Sequence, residues 1–197
     1  YNGNPAMTPH AYIPSAVYSG DELGVGRLLF PSDIKYGPDG SIYICDAGNN
    51  RIIRLDSEFR LLSVIREFET PQGVQGFQNP QGLFVSDRHL YVADTKNSRI
   101  VKLTTQGEFV REFGSPDTRL LDEEFLYSPL ALAVDPIGNI YVVAQGVNIG
   151  LLRFNKEGEF ISFFGAQDAT YSVADYMWKK FMTEEQLKRM QDFVPTE

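Results

Sequence analysis

Cysteine occurs once in the 197 residues, at Cys45, and histidine twice, at His10 and His89. A single thiol excludes a disulfide framework within the chain and any zinc site built from several cysteines. Two histidines cannot supply a three-histidine zinc centre. No G-x-S-x-G motif offers a nucleophile elbow, so Ser/His/Asp catalysis has no visible starting point. Gly24-Val25-Gly26 lacks the third glycine and the strand-to-helix setting of a phosphate loop and reads as a turn. Basic residues are scarce too, with 18 Lys+Arg against 26 Asp+Glu and a net charge of -8. That balance is unsuited to neutralising phosphates, so no nucleic-acid partner is expected. No apolar run approaches the ~20 residues of a membrane-spanning helix. What remains is ordinary for a globular chain, 43% apolar and 22% charged, which excludes wholesale disorder.

The chain repeats itself. Phe30–Phe68, Asn79–Gly114 and Ser128–Gly165 align, with Pro31, Pro80 and Pro129 spaced 49 and 49 apart. Tyr43, Tyr91 and Tyr141 follow at 48 and 50, and Leu55, Leu103 and Phe154 at 48 and 51. Each unit reads as four short strands, in the first unit Asp33–Tyr36, Ser41–Asp46, Arg51–Asp56 and Arg60–Phe68. Gly37-Pro38-Asp39-Gly40 and Ala47-Gly48-Asn49-Asn50 supply turns between them, as expected of antiparallel hairpins. The strand centres are β-branched and aromatic on both faces, which suits a sheet sandwiched between other sheets. Four strands recurring at about 40–50 residues is the spacing of a β-propeller blade.

Asp46-Ala-Gly-Asn49-Asn-Arg51-Ile and Asp94-Thr-Lys-Asn97-Ser-Arg99-Ile each follow a Tyr-containing strand. These segments resemble the NHL repeat, and the resemblance covers three copies, the third degenerate. It implies an all-β propeller, usually six-bladed around a channel. Upstream Asp21-Glu-Leu-Gly and downstream Gly-Glu-Phe-Ile narrow the likeness to a bacterial, gluconolactonase-like group, which implies an extracellular or cell-surface location. Lactone hydrolases of similar fold hold one Ca²⁺ in the channel. That gives an alternative activity, a Ca-dependent lactonase completed by blades outside this chain. Some animal NHL domains bind RNA, but the acidic balance here argues against it.

The motif has a structural explanation of its own. A hairpin brings Asp46 and Arg51, or Asp94 and Arg99, to one sheet edge, where a carboxylate suits the guanidinium fork. Asn49 and Asn97 suit the turn. The blade-motif residues Asp46, Asn49, Arg51, Asp94, Asn97 and Arg99 are therefore expected to clamp their blades. In the third unit Gly150 stands in the Arg column, and the Asp column falls on Ala144 or Gln145. Asp33, Gln81, Asp46 and Asp94 are the candidate ligand-binding residues, since Pro31-Ser-Asp and Pro80-Gln-Gly open the inner strands. No catalytic or metal-ligating residue is assigned, and no cofactor is expected outside the lactonase alternative.

The boundaries follow from the repeats. Residues 1–29 read as a lead-in in which Ala11–Pro14 and Val17-Tyr18 could form an outer strand. Residues 30–78 make blade one, 79–127 blade two with an acidic connector, and 128–168 blade three. Residues 169–197 read as a helical insertion, with apolar residues at helical spacing and a Thr183–Gln186 capping box. The expected role is a non-catalytic binding scaffold for a protein, peptide or carbohydrate. Three blades cannot close a ring, because propellers have about 4–8. The count predicts a portion of a longer chain, or a half-ring that needs further blades or another copy.

Overall fold

Fourteen short strands, Pro31–Tyr36 (β1), Ile42–Asp46 (β2), Arg51–Leu55 (β3), Leu61–Ile65 (β4), Glu67–Thr70 (β5), Gly73–Gly76 (β6), Pro80–Val85 (β7), His89–Asp94 (β8), Arg99–Thr104 (β9), Phe109–Phe113 (β10), Pro129–Val134 (β11), Ile140–Ala144 (β12), Leu151–Phe154 (β13) and Phe160–Phe164 (β14), make up the regular structure in a computed structural model. It describes residues 16–165 apart from 117, 119–120, 122–124 and 148–149. The expected helical insertion, the Ala11–Pro14 half of the lead-in strand and positions 117, 119–120 and 122–124 of the acidic connector lie outside the described residues. Val17 and Tyr18 are described and lie outside any strand, and Tyr18 stacks on Phe59 at 4.4 Å.

Three four-stranded antiparallel sheets run β1-β2-β3-β4, β7-β8-β9-β10 and β11-β12-β13-β14, each in sequence order. This is the meander of a propeller blade, and the chain is an arc of such blades. In each innermost strand one residue bulges after the opening proline, between Pro31 and Asp33, Pro80 and Gly82, and Pro129 and Ala131. The pleat then sends alternate side chains to opposite blade faces. Tyr43, Cys45 and Ile52 of blade one meet Leu83, Leu90, Val92, Val101 and Leu103 of blade two in one buried cluster. Tyr91, Ala93 and Ile100 on the other face of blade two meet Leu132, Ile140, Val142, Leu152 and Phe154 of blade three. Each fully buried Leu, Ile, Val or Phe among them contributes about 1.5–3 kcal/mol, so the blades hold one another through their faces.

One expectation is corrected here. The fourth strand of blade one does not reach Phe68: β4 ends at Ile65, and Glu67 begins a separate two-stranded hairpin, β5-β6. Packing explains the break. Phe68 turns inward against Phe77 at 5.3 Å and stacks on Phe109 of blade two at 5.8 Å. The hairpin thus lodges beside the junction of blades one and two, and Pro71-Gln72 turns it.

Candidate functional site

The repeated motif forms two near-identical clamps. Each Asp sits at the end of a second strand, and the following three residues make a 3-10 turn that closes with a left-handed residue, Asn50 or Ser98, both at φ 52°. That turn delivers Arg51 and Arg99 back beside Asp46 and Asp94. Asp46 Oδ2 accepts from Arg51 Nε at 2.7 Å and from Asn49 Nδ2 at 2.9 Å, while Oδ1 accepts from the Leu29 amide at 2.7 Å. Asp94 Oδ2 accepts from Arg99 Nε at 2.9 Å and Asn97 Nδ2 at 2.8 Å, and Oδ1 from the Gln78 amide at 2.7 Å.

The clamps also catch the chain entering each blade. Asn49 Nδ2 donates to the Arg27 carbonyl at 2.9 Å, and Asn97 Nδ2 to that of Gly76 at 3.2 Å. Arg51 adds the Val25 carbonyl at 2.7 Å, and Arg99 the Gly76 carbonyl at 2.9 Å. Asp46 and Asp94 are completely buried. Charges so withdrawn are tolerable because each is paired and every oxygen is hydrogen-bonded. Their geometry leaves no carboxylate oxygen for a ligand at the surface. Blade three shows what replaces them. Pro129 pairs with Ala144 as Pro31 pairs with Asp46, so the Asp column falls on Ala144. Both charges of the pair are absent together, and a backbone bond remains, from the Gln145 amide to the Ser128 carbonyl at 2.9 Å.

Asp33 and Gln81 have other partners. Asp33 Oδ1 accepts from Lys35 Nζ at 2.9 Å and from the Ile34 amide at 2.8 Å. Its Oδ2 accepts from the Leu83 amide at 2.8 Å, which ties the inner strand of blade one to that of blade two. Gln81, at the bulge, donates to Asn79 Oδ1 at 3.0 Å. The four candidate ligand residues are thus engaged separately, three of them as internal ties. Among the described residues no group of three or more His, Cys, Asp and Glu is placed to hold a metal ion, and both Asp33 oxygens accept hydrogen bonds from within the chain. Cys45 is buried and donates to the Pro80 carbonyl at 3.2 Å; burial pushes its thiol up to about 12, with Asp33, Asp46 and Asp94 nearby also raising it.

A second recurring arrangement escaped the sequence reading. Tyr43 pairs across strands with Arg54, Tyr91 with Lys102 and Tyr141 with Arg153. Each cation lies over its ring, at 5.5, 5.2 and 5.9 Å from the centroid. Between blades one and two this pair reaches across: Arg54 Nη1 and Tyr43 Oη donate to the Thr105 carbonyl at 3.3 and 3.4 Å. In blade three the Arg153 Nε is buried without a partner. The signal was present as a Tyr column with a cation in the next strand, but only the register shows that they face each other.

Two blade faces are left partly open among the described residues. Ile34 and Tyr36 of blade one stand where Leu83 and Val85 stand in blade two, yet Ile34 is 57% exposed and Leu83 0%. The outer part of that face, Ile42, Ile53 and Leu55, is covered by Leu23, Val25 and Leu28 of the lead-in. At the other end Phe164 is 54% exposed, where its counterpart Ile65 is buried.

Comparison with known proteins agrees with this architecture. The NHL repeat family matches residues 28–55 and 77–103. Over 91 residues, 46% of this chain, it is 32% identical to Protein brain tumor of Drosophila melanogaster, of which the match covers 9%. Among solved structures, hydrazine synthase of Kuenenia stuttgartiensis superposes with a TM-score of 0.53 at 14% identity, over 79% of this chain and 40% of that one. The RRP9 WD40 repeats superpose with a TM-score of 0.54 at 18% identity, over 73% and 41%. The chain therefore spans under half the length of each of these proteins, and at such identities the structures speak for the fold alone. This chain carries NHL repeats on a partial β-propeller.

Proposed function

We propose that this chain is the binding scaffold of a larger NHL propeller, non-catalytic, with its repeated Asp-Asn-Arg motif spent on holding blades in place and its partners met by other surfaces. The observation that carries this reading is the contrast between Ile34 and Leu83. The same column of the repeat is sealed in blade two, against blade one, and open in blade one among the described residues. Apolar blade faces left open in this way favour contact with another sheet or another protein. A six-bladed ring, completed by further blades or a second copy, and a bacterial, extracytoplasmic setting belong to this proposal. A protein or peptide partner fits the exposed apolar surface; a carbohydrate is retained as the other ligand class.

Sedimentation of the purified chain tests it. Self-association that Ile34→Lys with Tyr36→Glu relieves, while the circular-dichroism melt is unchanged, is the expected result. A monodisperse wild-type monomer would overturn the open-arc reading. Hydrolysis of a lactone, abolished by EDTA and by Asp33→Ala, would overturn the non-catalytic one.

A further inference from the structure

Most carboxylates among the described residues have an ionic or hydrogen-bonding partner. Among the described residues Asp33, Asp39, Asp46, Asp56, Glu58, Asp94 and Glu112 are all in salt bridges. Glu67, Glu69 and Glu108 have none, and no hydrogen bond reaches their side chains. These three acids come together. Glu67 and Glu69 on β5, with Phe68 and Val74 of the hairpin, face Glu108 and Phe109 of blade two across a groove of about 570 Å³. No Lys, Arg or His is among the residues lining it.

The groove joins two chemistries. Its apolar part is the partly buried Phe109, backed by the buried Phe68 at 5.8 Å, together with Val74, which is 62% exposed. Its rim is three unneutralised negative charges. Phe68 already accepts one cation, since the Arg99 guanidinium lies 5.6 Å from its ring centroid. Main-chain groups are on offer as well: among the described residues β6 pairs with β5 alone and β10 with β9 alone, so each presents a hydrogen-bonding edge with no described strand on it. An extended chain can add to such an edge while its side chains settle into the adjoining groove.

We infer that this groove, between the β5-β6 hairpin and the start of β10, docks an extended peptide of a partner protein in which Lys or Arg alternates with aliphatic residues. The aliphatic side chains, and the methylene stems of the basic ones, lie against Val74 and Phe109. The cationic heads reach Glu67, Glu69 and Glu108. A long basic side chain meets both demands at once, because its stem is apolar and only its tip is charged. An acidic peptide meets the same apolar wall but adds like charges to the rim. The inference rests on the scaffold reading and names a partner for one of its surfaces.

Fluorescence anisotropy with a labelled Lys-Leu-Lys-Leu-Lys peptide, and with a Glu-Leu-Glu-Leu-Glu counterpart, tests it on the full chain. The basic peptide is expected to bind and the acidic one not. Glu69→Lys with Glu108→Lys should weaken binding at least about tenfold, as expected when like charge replaces complementary charge. Val74→Asn should weaken it as well, because it breaks the apolar part without changing the charge. Charge reversal at Asp87, an unpartnered exposed acid outside the groove, should leave the affinity within about twofold, its effect being screened by salt. All four sites are exposed, and a native melt is checked for each variant; where the Lys pair alters it, Glu69→Gln with Glu108→Gln replaces it. No binding of the basic peptide, equal loss on Asp87→Lys, or no loss in the groove variants would each overturn the inference. Since self-association is measured separately, these results leave the scaffold reading standing.

Discussion

Arg51 meets Asp46 at 2.7 Å with both side chains withdrawn from water. Forty-eight residues on, Arg99 meets Asp94 at 2.9 Å, but Arg99 also reaches Glu112 at 2.6 Å and is somewhat more exposed. The two clamps share a design and differ in how isolated their charges are.

That difference predicts unequal costs. Asp46→Ala strands a buried guanidinium, and loss of one partner of a buried pair costs about 3–5 kcal/mol. Asp94→Ala should cost less, because Glu112 still faces Arg99. Urea unfolding of the two variants measures both values. The double change Asp46→Leu with Arg51→Met should be milder than Asp46→Ala alone, since it removes both charges together.

Glycine at position 82 is imposed by the next blade. A Cβ there would come within 2.5 Å of the Leu130 carbonyl oxygen and 2.8 Å of the Ala131 Cα. Backbone atoms of β11 cannot swing aside as a side chain can. Gly82→Ala is therefore expected to destabilise the chain by about 1–3 kcal/mol, the usual cost of overpacking. Ala131→Gly, on the other partner, should not relieve it, because the clash is with backbone. Thermal melts of the single and double variants check this.

Cys45 should ignore thiol reagents in the native chain. Burial holds its thiol at about 12, so at mildly alkaline pH almost none is the reactive thiolate. A disulfide reagent should label no thiol in buffer and one per chain in strong urea. Labelling of the folded chain at the rate of a free thiol would contradict the burial of Cys45 between blades one and two.

His89 carries a pH dependence of definite sign. Its pKa is lowered from 6.5, first by burial and then by Lys102 and Arg88; Tyr91 lies edge-on beside it at 6.2 Å. The folded chain thus takes up the proton less readily than the unfolded chain. Where the unfolded state binds more protons, stability rises with pH. The contribution of His89 is full above 6.5 and falls as the pH drops from there through the lowered native value. The imidazole signals in a nuclear magnetic resonance titration should move at a pH below 6.5. Lys102→Ala should move that midpoint only part of the way back, because burial is the larger cause.

Much of the fold is legible in the sequence because the repeat writes the same physical problem three times. Proline opens each inner strand, tyrosine recurs in each second strand, and Gly, Asn and Asp mark the turns. These are local preferences, so they survive without knowledge of the tertiary structure. The pairing of Asp46 with Arg51 and Asp94 with Arg99 is legible for the same reason: a hairpin of fixed length joins them. The placement of Phe68 was not. Its strand character is plain, but whether it prolongs β4 or turns into a hairpin depends on Phe77 and Phe109, which lie far along the chain. The engagement of Asp33 was hidden likewise, since its partner, the Leu83 amide, is fifty residues away.

The sequence by itself determined that this chain is built of repeated four-stranded antiparallel sheets, and that its motif charges come in pairs. Periodicity and turn chemistry act over a few residues, so they can be read in one dimension. Only the tertiary structure decided that Ala144 takes the place of Asp46, that a tyrosine carries a cation in every blade, and that Glu67, Glu69 and Glu108 share one uncompensated groove. Those relationships depend on strand register and blade stacking, which bring together residues that no local preference connects.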